Sequence, residues 1–163
     1  MAEPDNNHKT GFTLIELLVV IAIIGLLSTL SILALNQARA RARDAKRVSD
    51  VKQISKALEI YYNESGNYPA SIVPNQSITY DGYTFLSSVP APPAPVDGSS
   101  CPTTQAVYTY TRFGSSASSP SYTINFCLGA TIANVTGNVM MNLTPAGFFT
   151  GDVQSEQHMA SPS

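Results

Sequence analysis

Tryptophan is absent from the 163 residues, histidine and cysteine each occur twice, and charged side chains make up only 12% of the chain. Each scarcity excludes something. His8 and His158 lie in polar stretches with no pattern to orient them, so a nucleophile–base–acid constellation has no material. Two cysteines are too few for a structural zinc site. No catalytic residue, metal or cofactor is expected, and the composition argues against an enzyme. A formal net charge of −2 gives no overall basic field for nucleic acid, so nucleic acid is not an expected partner. With 44% hydrophobic residues the chain is neither a disordered acidic tail nor a coiled coil. Its length is that of about one domain.

What is present is sharply segmented. Phe12 through Leu35 is apolar apart from Glu16 and a few hydroxyls. As a helix this run is about 36 Å long, more than a hydrocarbon core of roughly 30 Å. A soluble chain of this size could not cover such a helix on every side. A cleaved secretory signal has an apolar region of about 7–15 residues and a small-residue cleavage site, and neither fits. The run reads as a retained membrane anchor.

Charge then changes abruptly. Arg39, Arg41, Arg43, Lys46, Arg47, Lys52 and Lys56 stand against Asp44 and Asp50, whereas beyond Gly66 Arg112 alone faces Asp81, Asp97, Asp152 and Glu156. The basic block is expected to be a solvated helix face, with anionic lipid or nucleic acid as its alternative ligands. Ala38, Ala40, Ala42 and Ala45 favour helix, and Val48, Val51, Ile54, Leu58 and Tyr61 or Tyr62 form one apolar stripe. Gly66 and then Pro69 end it. The spacing predicts one helix over 12–65, roughly 80 Å long.

Strands are predicted after Pro69. Ser77–Tyr80 and Tyr83–Leu86 flank Asp81-Gly82, a tight hairpin turn. Val107–Phe113 and Tyr122–Leu128 alternate, with a loop expected over Gly114–Ser121 and shorter strands within Ala130–Val135 and Val139–Leu143. Pro90–Pro95 belongs to an extended connection. The expected fold class is α+β: one long N-terminal helix, its second half packed on a small antiparallel sheet. Cys101 and Cys127 would pair in an oxidising compartment and otherwise remain two buried thiols.

Gly11-Phe12-Thr13-Leu14-Ile15-Glu16-Leu17, at the head of the apolar run, resembles the processing motif of type IV prepilins and the related type II secretion pseudopilins. The resemblance implies cleavage between Gly11 and Phe12 by a membrane-embedded prepilin peptidase, which also methylates the new Phe12 amine. It implies that Glu16 meets the Phe12 amine of a neighbouring subunit and fixes the axial stagger of a filament. Physics gives the same carboxylate a need: at this depth in a membrane it costs a few kcal/mol, on the order of 3, unless partnered. Ile54 through Tyr68-Pro69 is similar to the end of the long helix in many pilins and the major pseudopilin. Leu86-Ser-Ser-Val-Pro90 with Tyr108 and Tyr110 is a looser match.

The implied organisation is a leader over 1–11, a transmembrane and filament-core helix over 12–35, and its amphipathic continuation over 36–66. A type IV pilin-like β domain over 67–150 and a polar tail over 151–163 complete it. The implied function is a pilin that polymerises with itself into a surface filament, with a secretion pseudopilin as the alternative and a DNA-binding minor pilin as a third reading. Implied partners are the peptidase, the inner-membrane assembly machinery, and lipid before assembly. The precursor would sit in the cytoplasmic membrane with its C-terminal domain outside the cytoplasm, and the assembled filament at the cell surface. Three features depart from the family pattern: Glu3 and Asp5 outnumber Lys9 in the leader, Leu33 stands where many type IV pilins have proline, and the basic block flanks the exported side. Flanking bases alone would leave that side in the cytoplasm; the motif and the cysteine pair argue for export.

Overall fold

The computed structural model describes residues 11–101, 107–115 and 118–151. Residues 1–10 of the expected leader over 1–11 and residues 152–163 of the expected tail over 151–163, with Asp152, Glu156 and both histidines, lie outside them. The chain divides into two compact units, Met1–Ala38 and Arg39–Ser163.

One helix, α1, runs from Leu14 to Ser65 over 52 residues and contributes to both units. It begins two residues later than the expected Phe12 because Thr13 caps it: the Thr13 hydroxyl accepts from the Glu16 N–H at 3.3 Å. Gly66 stops it in the left-handed conformation, φ 72°, with its N–H donating to the Tyr62 carbonyl at 2.8 Å.

Among the described residues the second unit carries two sheets rather than the single expected one. β1 (Ile78–Tyr80) and β2 (Tyr83–Leu86) form a hairpin whose turn residues Asp81 and Gly82 both have positive φ, as a two-residue turn of this type requires. β3 (Thr109–Ser115), β4 (Ser118–Leu128), β5 (Val139–Thr144) and β6 (Gly147–Thr150) form an antiparallel meander in chain order. The expected loop over Gly114–Ser121 is largely strand. Pairing continues to Ser115↔Ser118, and a register shift at left-handed Gly114 absorbs the irregularity. Ala130–Val135 holds only an isolated Ile132↔Val135 bridge. β6 was not among the expected strands.

The core joins Val48, Val51, Ile54 and Leu58 of α1 to Tyr122, Ile124, Phe126 and Leu128 of β4 and to Met141 and Leu143 of β5. The alternation in β4 thus serves one face. Thr123 and Cys127, on the opposite face, are also buried.

A candidate assembly helix and the domain that carries it

Gly11 and Phe12 precede α1, exposed, and a side chain built on Gly11 would meet nothing within 4 Å. Packing therefore places no demand for glycine at position 11. Phe12 is 81% exposed. Glu16 closes a capping box with Thr13: its carboxylate accepts from the Thr13 N–H at 2.9 Å and from the Thr13 hydroxyl at 2.7 Å. The Thr13 and Glu16 N–H groups, two donors that the helix start would leave open, are thus satisfied inside the chain.

From Leu14 to Leu35 every residue is exposed. The large apolar side chains range from 46% exposure at Val20 to 88% at Leu14. Ser28, Thr29 and Ser31 turn their hydroxyls back onto the carbonyls of Ile24, Leu26 and Leu27 at 2.7–2.8 Å, so no hydroxyl asks for water or a partner. The segment is long and apolar enough to cross a membrane. An apolar surface of this extent needs cover that the described residues of this unit do not supply.

Beyond Arg39 the helix is built differently. The basic block is not uniformly a solvated face, because Arg47 is only 2% exposed. Its guanidinium donates to Asp44 at 2.5 Å, to Asp97 at 3.1 Å, and to the carbonyls of Pro93 and Pro95 at 2.7 and 2.6 Å. Asp44 also accepts from the N–H groups of Gly129 and Ala130 at 3.1 and 2.9 Å. Arg43 forks onto Asp97 at 2.8 and 2.5 Å. Those bonds, with Arg47 as a further donor, hold the Asp97 carboxyl below the usual carboxylate range. Buried Asp50 accepts from Lys46 and from the Tyr108 hydroxyl, and burial followed by the Asp50 charge pushes that hydroxyl far above its ordinary value.

This charged cluster ties α1 to the proline-rich connection and to the turn after β4. Sequence reading missed it, although Asp44–Arg47 and Lys46–Asp50 have the three- and four-residue spacings of paired side chains on one helix. It also engages three of the seven bases, Arg43, Lys46 and Arg47, in ion pairs within the domain. Asp97 is engaged by arginines and Asp81 sits exposed in a turn; among the described residues no cluster of three or more His, Cys, Asp or Glu could hold a metal.

Cys101 and Cys127 are joined in a disulfide, Cα to Cα 5.7 Å, which ties the proline-rich connection to the end of β4. At the far end of α1, Glu59 accepts from the hydroxyls of Tyr68 and Tyr122, and Tyr110 donates to the Pro69 carbonyl. The Tyr68-Pro69 element thus docks on the sheet.

A family model described as the prokaryotic N-terminal methylation motif matches residues 6–32. The type II secretion system core protein G of Escherichia coli (strain K12) is 32% identical, the match covering 53% of this chain and 68% of that protein. Protein G of Aeromonas hydrophila is 36% identical over 39% of this chain and 45% of its own length. The type IV major pilin protein PilA of Myxococcus xanthus (strain DK1622) is 33% identical over 39% of this chain and 29% of its own. The chain thus spans about two thirds of the first of these relatives and less than half of the other two. No solved structure matches. A shared motif, a matching long helix and antiparallel sheets, and similarity across two thirds of a secretion protein G place the chain in the type IV pilin and type II secretion pseudopilin family.

Proposed function

We propose that the chain is a non-enzymatic filament subunit, cleaved between Gly11 and Phe12, methylated at Phe12, and polymerised through its apolar helix. The single observation behind this reading is the Gly11–Glu16 motif at the head of a helical stretch, Leu14–Leu35, whose apolar residues are exposed all round. Before assembly lipid covers residues 12–35; in the filament, copies of the same segment replace lipid. Glu16 then exchanges its local bond with Thr13 for the charged Phe12 amine of a neighbour, which fixes the stagger. The domain beyond Arg39 stands outside the cytoplasm, where an oxidising compartment keeps Cys101 and Cys127 paired. The peptidase and an inner-membrane assembly machinery are the partners this requires.

Of the two filament types, the short secretion pseudopilus is the better supported, because the similarity spans 68% of a protein G but 29% of a pilin. Mass spectrometry of sheared surface filaments and of washed membranes tests both steps. N-methylated Phe12 confined to membranes supports the pseudopilin, and the same terminus abundant in the sheared fraction supports a surface pilus. An intact Met1 in both fractions overturns the filament reading.

A further inference from the structure

The seven bases of the block are not equivalent. Arg43, Lys46 and Arg47 are neutralised within the domain by Asp97, Asp50 and Asp44. Lys52 lies over the Phe148 ring at 5.7 Å. Among the described residues, Arg39, Arg41 and Lys56 are in no ion pair, and all three are exposed. Arg39 and Arg41 are also the first charges after the apolar run.

We propose that Arg39 and Arg41 bind the phosphates of anionic phospholipids in the leaflet where the apolar helix ends. The distances suit this. Arg39 and Arg41 lie four and six residues past Leu35, about 6 and 9 Å along a helix. A headgroup layer occupies about 5–7 Å on each side of the hydrocarbon. Two residues apart on a helix is about 200° of rotation, so the pair reaches lipids on both flanks rather than sharing one headgroup. A guanidinium presents a planar fork to phosphate oxygens, and its apolar stem can lie along the acyl region while the head stays at the interface.

The chemistry disfavours a nucleic acid. Lys56 lies fifteen positions, about 22 Å, beyond Arg41, and the chain past Gly66 has an excess of acids. The arginine–phosphate contact sets the depth of the helix in the bilayer before assembly. It also gives the exported flank a reason to be basic, which the orientation rule alone does not supply.

This inference rests on the membrane-anchoring reading, and the test separates the two. The chain contains no tryptophan, so Leu35→Trp supplies a single tryptophan, which can be excited selectively over the tyrosines. The full chain carrying it is placed in phosphatidylcholine vesicles containing phosphatidylglycerol. A fixed fraction of one lipid or the other is brominated near the headgroup end of the acyl chains. The expected result is quenching severalfold more efficient by brominated phosphatidylglycerol than by brominated phosphatidylcholine. The preference should shrink as salt rises, vanish in Arg39→Gln/Arg41→Gln and persist in Lys52→Gln/Lys56→Gln.

Equal quenching by the two lipids overturns the proposal while leaving the anchor in place. Loss of the preference in both double variants overturns the assignment to these two arginines. Quenching by neither lipid overturns the anchoring reading itself. Equal quenching together with a salt-sensitive shift of a DNA duplex, abolished by Arg39→Gln/Arg41→Gln, would assign the arginines to nucleic acid instead.

Discussion

Between Leu14 and Leu35 of α1 every leucine, isoleucine and valine is exposed, whereas between Asp44 and Leu58 of the same helix two aspartates and an arginine are buried. Side-chain polarity alone predicts the opposite in both places. The difference lies in what each stretch has for cover. In the second stretch the cover is the chain's own sheet and loops, and they bring acceptors and donors to the charges they bury. In the first stretch the described residues of its unit supply no such cover, so the surface is shaped for lipid or for copies of itself. A buried charge needs its partners specified one by one, while an apolar face needs only something apolar.

The comparison breaks most severely at Arg47. Arg47→Ala leaves Asp44 and two proline carbonyls facing a space without a cation, and Asp97 held by Arg43 alone. Removing one member of such a buried set costs about 3–5 kcal/mol. Thermal unfolding of the full chain in detergent, followed by circular dichroism, should show a loss of that size; a loss below about 1 kcal/mol would mean that the cluster is solvated.

A matched pair of deletions sharpens the same contrast. Ile54 is fully buried and Ile24 is 57% exposed. Ile54→Ala should cost about 2–5 kcal/mol, and Ile24→Ala should leave the unfolding transition of the domain where it was. Equal losses would show that the first stretch has cover of its own. Replacing both Cys101 and Cys127 by serine removes a cross-link between positions 26 apart, with an expected loss of about 3 kcal/mol in the same assay.

Acid probes the cluster more gently. Hydrogen bonds from Arg43, then from Arg47, keep the folded-state pKa of Asp97 below its ordinary value. A lowered folded pKa means that this contribution is complete above the unfolded value, about 4, and is lost as pH falls through the lower folded value. The stability difference between the native chain and Asp97→Asn should therefore be constant near neutrality and narrow below about pH 4. A difference that persists unchanged into strong acid would remove the ion pairs as its cause.

Much of this contrast was legible in the order of residues. The unbroken apolar run, the Val48–Leu58 stripe, Gly66 and Asp81-Gly82 each carry a local physical signal, and each corresponds to a feature of the fold. The charged cluster does so only in part: Asp44–Arg47 and Lys46–Asp50 are spaced as helix pairs, but Asp97 and the carbonyls of Pro93 and Pro95 lie some fifty positions from Arg47, and no local pattern announces a partner so distant. For the same reason the block looked like a solvated face. The extension of β3 and β4 over serines was hidden because hydroxyl-rich segments read equally well as loop. At the motif, sequence supplied the residues and their family role, while the local bond between Thr13 and Glu16 appears only in the structure.

That local bond gives the smallest effect and the sharpest separation. Glu16 caps its own helix, and in the proposed filament it also meets a neighbour's amine. Glutamine at the same position retains a side-chain acceptor for the Thr13 N–H, so Glu16→Gln should change the helix start by well under about 1 kcal/mol. Thr13→Ala removes the cap hydroxyl and should cost about 1 kcal/mol, read as earlier exchange of the amide protons of the first turn. Glu16→Gln, though, deletes the charge that a neighbour's amine would need. If the carboxylate serves assembly, Glu16→Gln subunits should be processed and anchored normally and yet yield few filaments, while Thr13→Ala subunits frayed at the first turn still assemble. Normal filament yield from Glu16→Gln would leave Glu16 as a helix cap alone, and the stagger would have to come from the packing of the exposed apolar side chains.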